Sequence, residues 1–103
     1  MRGMNDLVRQ AQIMQKKMAK VQEDLATKTV EGTSGGGMVV AVVNGANELQ
    51  GLRIDKSVVD PADVEMLQDL IVAAVADGVK KSKDMAEAEM GQITGGLKIP
   101  GLF

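Results

Sequence analysis

The sequence predicts an α+β protein: a long helix, a three-stranded antiparallel sheet and a second long helix, in that order. Three observations carry the prediction. Apolar residues near the start recur at alternating intervals of three and four, the middle of the chain is β-branched and broken by glycines, and a second helical period follows Asp60-Pro61.

The first helix is read from Met4, Leu7, Ala11, Met14, Met18, Val21 and Leu25, an unbroken run of a and d positions over about three heptads. Neither Pro nor Gly interrupts it, and Asn5 or Asp6 is a suitable cap. At about 1.5 Å per residue it would be roughly 35 Å long, so it is expected to pack along a narrow seam.

The period changes at Thr27. The run "TKTVEGTSG" leads into Gly35-Gly36-Gly37, "MVVAVVN" (Met38 to Asn44) reads as a central strand, and "GAN" (Gly45 to Asn47) as a turn. "ELQGLRID" (Glu48 to Asp55) alternates, with Leu49, Leu52 and Ile54 expected inward. Three short strands on tight turns make an antiparallel meander.

The second helix is expected to start with Asp60 as cap and Pro61 in the first turn. Val64, Leu67, Leu70, Ile71, Ala74, Val75, Gly78 and Val79 give it a broad apolar face able to cover one side of the sheet. That face degrades at Lys81, and the helix is expected to run on to about Met90 as an arm. The closing "GQITGGLKIPGLF" has glycines, a proline and no period. Residues 1–90 are therefore read as one α-β-β-β-α domain and 91–103 as a mobile tail.

Composition narrows the function. With 103 residues and Phe103 as the one aromatic, the core must be built from Val, Leu, Ile, Ala and Met, and such a domain gains by dimerising. Cysteine and histidine are absent, which removes disulfides, thiolate nucleophiles, the commonest zinc ligands and the usual neutral-pH base. No apolar run reaches membrane-spanning length and "MRGMNDLVRQ" lacks the apolar block of a signal peptide, so a soluble cytoplasmic protein without membrane contact is expected.

Three features invite a chemical reading. "GTSGGGMVV" has the glycines of a phosphate loop, but it feeds a strand where a phosphate loop feeds a helix N-terminus, so it is read as a hairpin or bulge. Asp60, Asp63, Glu65 and Asp69 crowd the start of the second helix, where the macrodipole accounts for them. No catalytic residues, cofactor or metal are expected. The third feature is "RQAQIMQKKMAK", with four bases and no acid in a chain of net charge −2. Arg9 and Lys16 fall opposite the seam, Lys20 beside them and Lys17 on the flank. Lys80, Lys81 and Lys83 crowd one turn of the second helix. This segregation makes Arg9, Lys16, Lys17, Lys20, Lys80, Lys81 and Lys83 the candidate contacts to DNA phosphates, although binders of DNA are usually basic overall.

Taken together, "MNDLVRQAQIMQKKMAKVQEDL", "GTSGGGMVVAVVNG" and the run from "LRIDKSVVDPADVEMLQDLIVAAV" to "GGLKIPG" resemble the YbaB/EbfC family of bacterial nucleoid-associated DNA-binding proteins. The resemblance implies a helix–three-strand–helix protomer that forms a tweezer-like homodimer with helical arms. It further implies double-stranded DNA as partner, a place on the cytoplasmic nucleoid, a role in nucleoid organisation and gene expression, and DNA contact through the terminal helices. The alternative expectation is a dimeric adaptor for a DNA-processing protein, favoured by the acidic balance and by Met85 and Met90, which are expected to be exposed.

Overall fold

A computed structural model gives the structure and describes residues 2–94; the expected tail beyond Thr94 lies outside the described residues. The element order is α1 (Arg2–Thr27), β1 (Thr29–Ser34), β2 (Val39–Asn44), β3 (Leu49–Ile54) and α2 (Val64–Thr94). Short 3₁₀ turns, Gly35–Gly37 and Lys56–Val58, follow β1 and β3. The strands form one antiparallel sheet in the order β1-β2-β3, so the apolar "VVAVVN" is the central strand, as its composition requires.

Register fixes which side chains face α2. Val30, Gly32 and Ser34 pair with Val43, Ala41 and Val39. Ala41 and Val39 pair in turn with Leu52 and Ile54, and a bulge at Val42/Val43 brings Leu49 opposite Val43. Val39, Ala41 and Val43 are fully buried with Ala74 of α2, and Leu70, Ile71 and Val75 pack around them. The helix lies very close to β1. A Cβ on Gly32 would sit 2.1 Å from the Gly78 nitrogen and 2.2 Å from the Ala74 carbonyl oxygen. Two glycines facing each other allow that approach.

The α2 face covers β1 and β2 and stops there. Leu49 and Leu52 point to the expected side of the sheet but are 51% and 37% exposed, because no helix among the described residues crosses β3. The other β-edge is closed. The Thr33 N–H donates to Asp77 Oδ2 at 2.9 Å, and Lys81 Nζ donates to the Glu31 carbonyl at 3.0 Å. Both groups of β1 are thereby satisfied by side chains of α2.

Two expected helix starts are corrected. The cap of α2 is Asp63, whose carboxylate accepts from the Met66 N–H at 3.2 Å, while Asp60 turns the preceding loop by accepting from Ala62 N–H. Ala62 and Asp63 thus intervene between Pro61 and the helix. Likewise α1 is already helical at Arg2, so Asn5 and Asp6 lie in its first turns rather than before them. At the far end α2 continues through Gly91 to Thr94, four residues past Met90.

The tri-glycine loop reverses the chain between β1 and β2. Its glycines have φ of 60°, 67° and 93°, the left-handed region where a side chain is strained. The loop leads into β2, as a hairpin connection does.

Candidate nucleic-acid interface

The body ends where α1 meets the sheet, and one side chain organises that junction. Asn44, at the end of β2, is buried together with Ser82 of α2. Asn44 Nδ2 donates to the Ala26 carbonyl and to Glu48 Oε1, and its Oδ1 accepts from the Ala46 and Glu48 N–H groups. Ser82 Oγ donates to the Asn44 carbonyl at 2.6 Å. Gly45 presses against the end of α1, its N–H donating to the carbonyls of Leu25 and Lys28. A Lys28–Glu89 ion pair ties the same region to α2. The direction in which α1 leaves the body is therefore set by a satisfied polar cluster.

From that base α1 runs outward as an arm, and the molecule measures 73 × 21 × 16 Å. The expected a/d seam is covered only at its root: Leu25 is buried and Val21 and Met18 are half-buried, whereas Met14, Leu7 and Met4 are 38%, 66% and 67% exposed. The physical reason is length. Ile93, near the end of α2, lines grooves with Gln10, Ile13, Met14, Lys17 and Val21, so the described part of α2 accompanies α1 only part of the way.

The cations chosen from the sequence do not form one patch. Lys16, Lys17 and Lys20 line a single groove with Val21 and Ile93, their stems over an apolar floor. Lys16 thus borders the α1–α2 junction, although the heptad placed it opposite the seam. Lys16 and Lys17 are exposed and have no ion-pair or hydrogen-bond partner among the described residues. Lys20 lies 3.7 Å from Asp24 and Arg9 3.7 Å from Asp6, both as exposed pairs. Such pairs are weak and exchange readily for another anion.

On α2 the three lysines diverge. Lys81 pairs with Asp77 at 3.1 Å while donating to the Glu31 carbonyl, so its ammonium already serves the edge of β1. The Thr33 N–H and then Lys81 hold the Asp77 carboxyl below its ordinary value. Lys80 and Lys83 sit on another face, in a groove with Ala76, Val79, Asp84 and Glu87.

Sequence reasoning missed Asn44 and Ser82. A signal for Ser82 exists: it follows Ala74 and Gly78 at four-residue steps on the inward face, although its neighbours in "KKSK" suggest a solvated turn. Among the described residues no group of His, Cys, Asp or Glu could hold a metal ion. No helix of the described residues is long and apolar enough to cross a membrane.

Fold and site together define a class: a small α+β protein whose cationic surface lies along a projecting two-helix arm. The chain belongs to the YbaB/EbfC DNA-binding family, whose model matches residues 1–97. It is 59% identical over 101 residues to a nucleoid-associated protein of Syntrophobacter fumaroxidans, covering 98% of this chain and 91% of the relative. It is 52% identical to one of Pelotomaculum thermopropionicum, covering 98% and 96%. Among solved structures it resembles the uncharacterized protein HP0035 of Helicobacter pylori, with TM-score 0.75, 29% identity, and coverage of 86% of this chain and 94% of that one. The expected family and protomer fold are thus both found.

Proposed function

We propose that this protein binds duplex DNA as a homodimer, mainly through phosphate contacts, and serves in nucleoid organisation and gene regulation on the cytoplasmic nucleoid. The observation that carries the reading is the arm: Lys16 and Lys17 stand exposed, without a partner among the described residues, between Arg9 and Lys20, in a chain of a DNA-binding family. Phosphate contact is sequence-independent, and a stretch with four bases and no acid is suited to it. No aromatic in the described residues is available to stack on bases.

Dimerisation is supported by apolar surface that one chain leaves open: Leu49 and Leu52 on β3, Val72 on α2, and the outer seam of α1. A second copy is the economical cover for these, since a monomer with this much open apolar surface is expected to associate. Sedimentation should give a dimer at micromolar concentration; a stable monomer would remove this part of the reading.

A dimer neutralising about five phosphates should lose affinity with salt at a log–log slope of roughly −4 to −5. Measured by fluorescence anisotropy on several unrelated duplexes, the slope should vary little with sequence. The triple variant K16E/K17E/K20E should lose most of the binding while remaining dimeric. Unchanged affinity and slope in that variant would take the arm out of the mechanism.

The adaptor reading loses the exposed methionines expected of it, since Met90 is buried and Met85 half-buried, and draws on a different observation. Met4, Leu7, Val8 and Ile13 expose 67%, 66%, 54% and 47% of their surface on the same arm, and phosphates give apolar side chains nothing. Partners recovered from nuclease-treated lysate would favour it, provided that the purified protein ignores DNA.

A further inference from the structure

Resting on the dimeric reading above, we infer that two copies of α2 pack antiparallel along a self-complementary seam, in which Glu65 of each copy meets the partner's Lys83. The seam would assign Lys80 and Lys83 to assembly, leaving DNA to the arm.

The starting point is that α2 is apolar on two sides. Its inward side, with Leu70, Ile71, Ala74, Val75 and Gly78, covers the sheet. Its outward side carries Val72, 68% exposed, with exposed Ala73 and Ala76 and half-buried Val79. A helix apolar all round is normally buried all round. No element among the described residues lies over Val72, which leaves that side open to a partner.

Spacing says what shape the cover has. Glu65, Asp69, Val72, Ala76, Val79 and Lys83 follow one another at steps of four, three, four, three and four. That is an a/d seam, which fits a second helix lying alongside. Its middle is apolar and small, suited to close approach at about 8–10 Å between axes. Its N-terminal end is acidic and its C-terminal end basic.

Charge then chooses the partner and the direction. A parallel copy would set acid against acid and base against base. An antiparallel copy, with Val72 opposite the partner's Ala76, sets Asp69 beside the partner's Val79 and Lys80, and Glu65 against the partner's Lys83. Each contact occurs twice, as a two-fold axis requires, so one chain supplies both halves of the match. Glu65, Asp69 and Lys83 have no hydrogen-bond or ion-pair partner among the described residues, and Lys80 acts only at a distance on Asp77. Asp63, by contrast, is occupied in capping the helix. Two grooves on α2 fit the same arrangement, one lined by Glu65, Met66 and Asp69 and the other by Ala76, Val79, Lys80 and Lys83. Asp84 and Glu87 share the second groove but would lie level with or past the start of the partner's helix.

The test uses the natural absence of cysteine. Full-length V72C and A76C proteins are prepared separately, mixed, and oxidised mildly. The seam predicts that the 72–76 heterodisulfide exceeds both homodisulfides severalfold, because only that pair is opposed. Independently, E65K and K83E should each weaken the dimer by roughly fivefold or more at low salt, the two-fold axis doubling every contact. The combined E65K/K83E chain should recover most of the loss. K83E should leave the DNA salt slope unchanged at concentrations where the variant is dimeric.

The two readings fail differently. A monomeric wild type would end the dimer and the seam together. A dimeric wild type with no preference for the mixed disulfide and no recovery in the double variant would keep the dimer and overturn the seam. A slope reduced by about two in K83E would return Lys83 to the phosphates, at two lysines per dimer.

Discussion

Replacing Gly32 by alanine should be among the most damaging single-methyl changes in the body of this protein. The added Cβ would lie 2.1 Å from the Gly78 nitrogen, 2.2 Å from the Ala74 carbonyl oxygen and 2.5 Å from the Gly78 Cα, where ordinary contacts begin near 3.4 Å. All three atoms are backbone, so no side chain can swing aside. Relief of about an ångström must come from lifting α2 off β1, which loosens Val39, Ala41 and Ala74 and strains the Thr33–Asp77 bond across the same gap. Overpacking of a well-filled core typically costs about 1–3 kcal/mol, and backbone-on-backbone overlap belongs at or above the upper end. Gly51→Ala is the control, since a Cβ there meets nothing within 4 Å. Such a change should stay within about 0.5 kcal/mol of the parent. Urea unfolding of the three proteins at one matched concentration compares them, since association adds to apparent stability. If Gly32→Ala unfolds at the same midpoint as Gly51→Ala, the close approach of α2 to β1 is not what holds the helix in place.

Two further outcomes follow from the polar contacts. Ser82→Ala removes one donor from the Asn44 carbonyl, which still accepts from the Asn47 N–H, and should cost about 1 kcal/mol. Asn44→Ala strips the acceptor from the Ala46 and Glu48 N–H groups and the donor from the Ala26 carbonyl and Glu48 Oε1, so its cost in the same urea assay should be at least about twice as large. Asp77→Asn bears on pH. The folded carboxyl is held below its ordinary value by the Thr33 N–H and Lys81, so its stabilisation is present above the unfolded pKa of about 3.9 and is lost as pH falls through the lower folded value. Thermal melts should therefore show a gap between parent and variant at pH 7 that narrows below about pH 4. A constant gap would mean that the carboxylate charge is irrelevant at the β1 edge.

Element order and sheet order were legible because they rest on local periodicity. The "VVAVVN" run could only be a central strand, and the three glycines before it only a reversal. What periodicity does not encode is which partner a face meets. Leu52 and Ile54 alternate and the bulge brings Leu49 to their face, yet Leu49 and Leu52 stay exposed, since no helix among the described residues covers them. Met4, Leu7 and Met14 mark a seam that α2 leaves uncovered over its outer half. Asn44 escaped because its worth lies in geometry: four hydrogen bonds converge on the side chain of a residue that the sequence offers only as the end of a strand. Asp60 was misplaced as the helix cap for a local reason. Asp60 and Asp63 both suit a cap, and only the path of the loop after β3 decides between them.

Net charge was the main argument against DNA, and the structure shows how its weight is distributed. Many of the acids have local duties: Asp63 caps α2, Asp60 and Asp55 close turns, and Asp77 seals the edge of β1. Glu31 pairs with Arg53 at 3.0 Å, Glu48 binds Asn44 and Glu89 binds Lys28. These lie on the body and at the arm's root, in a molecule 73 Å long. Charges interact over about 10 Å at 0.1 M salt. A phosphate beside Lys16 and Lys17 therefore senses the four bases of residues 9–20 together with Asp6, Glu23 and Asp24 of the same helix, and hardly senses the start of α2. A slightly anionic protein can thus present a cationic arm. The whole-chain charge describes the molecule's behaviour at distances where salt has already screened it.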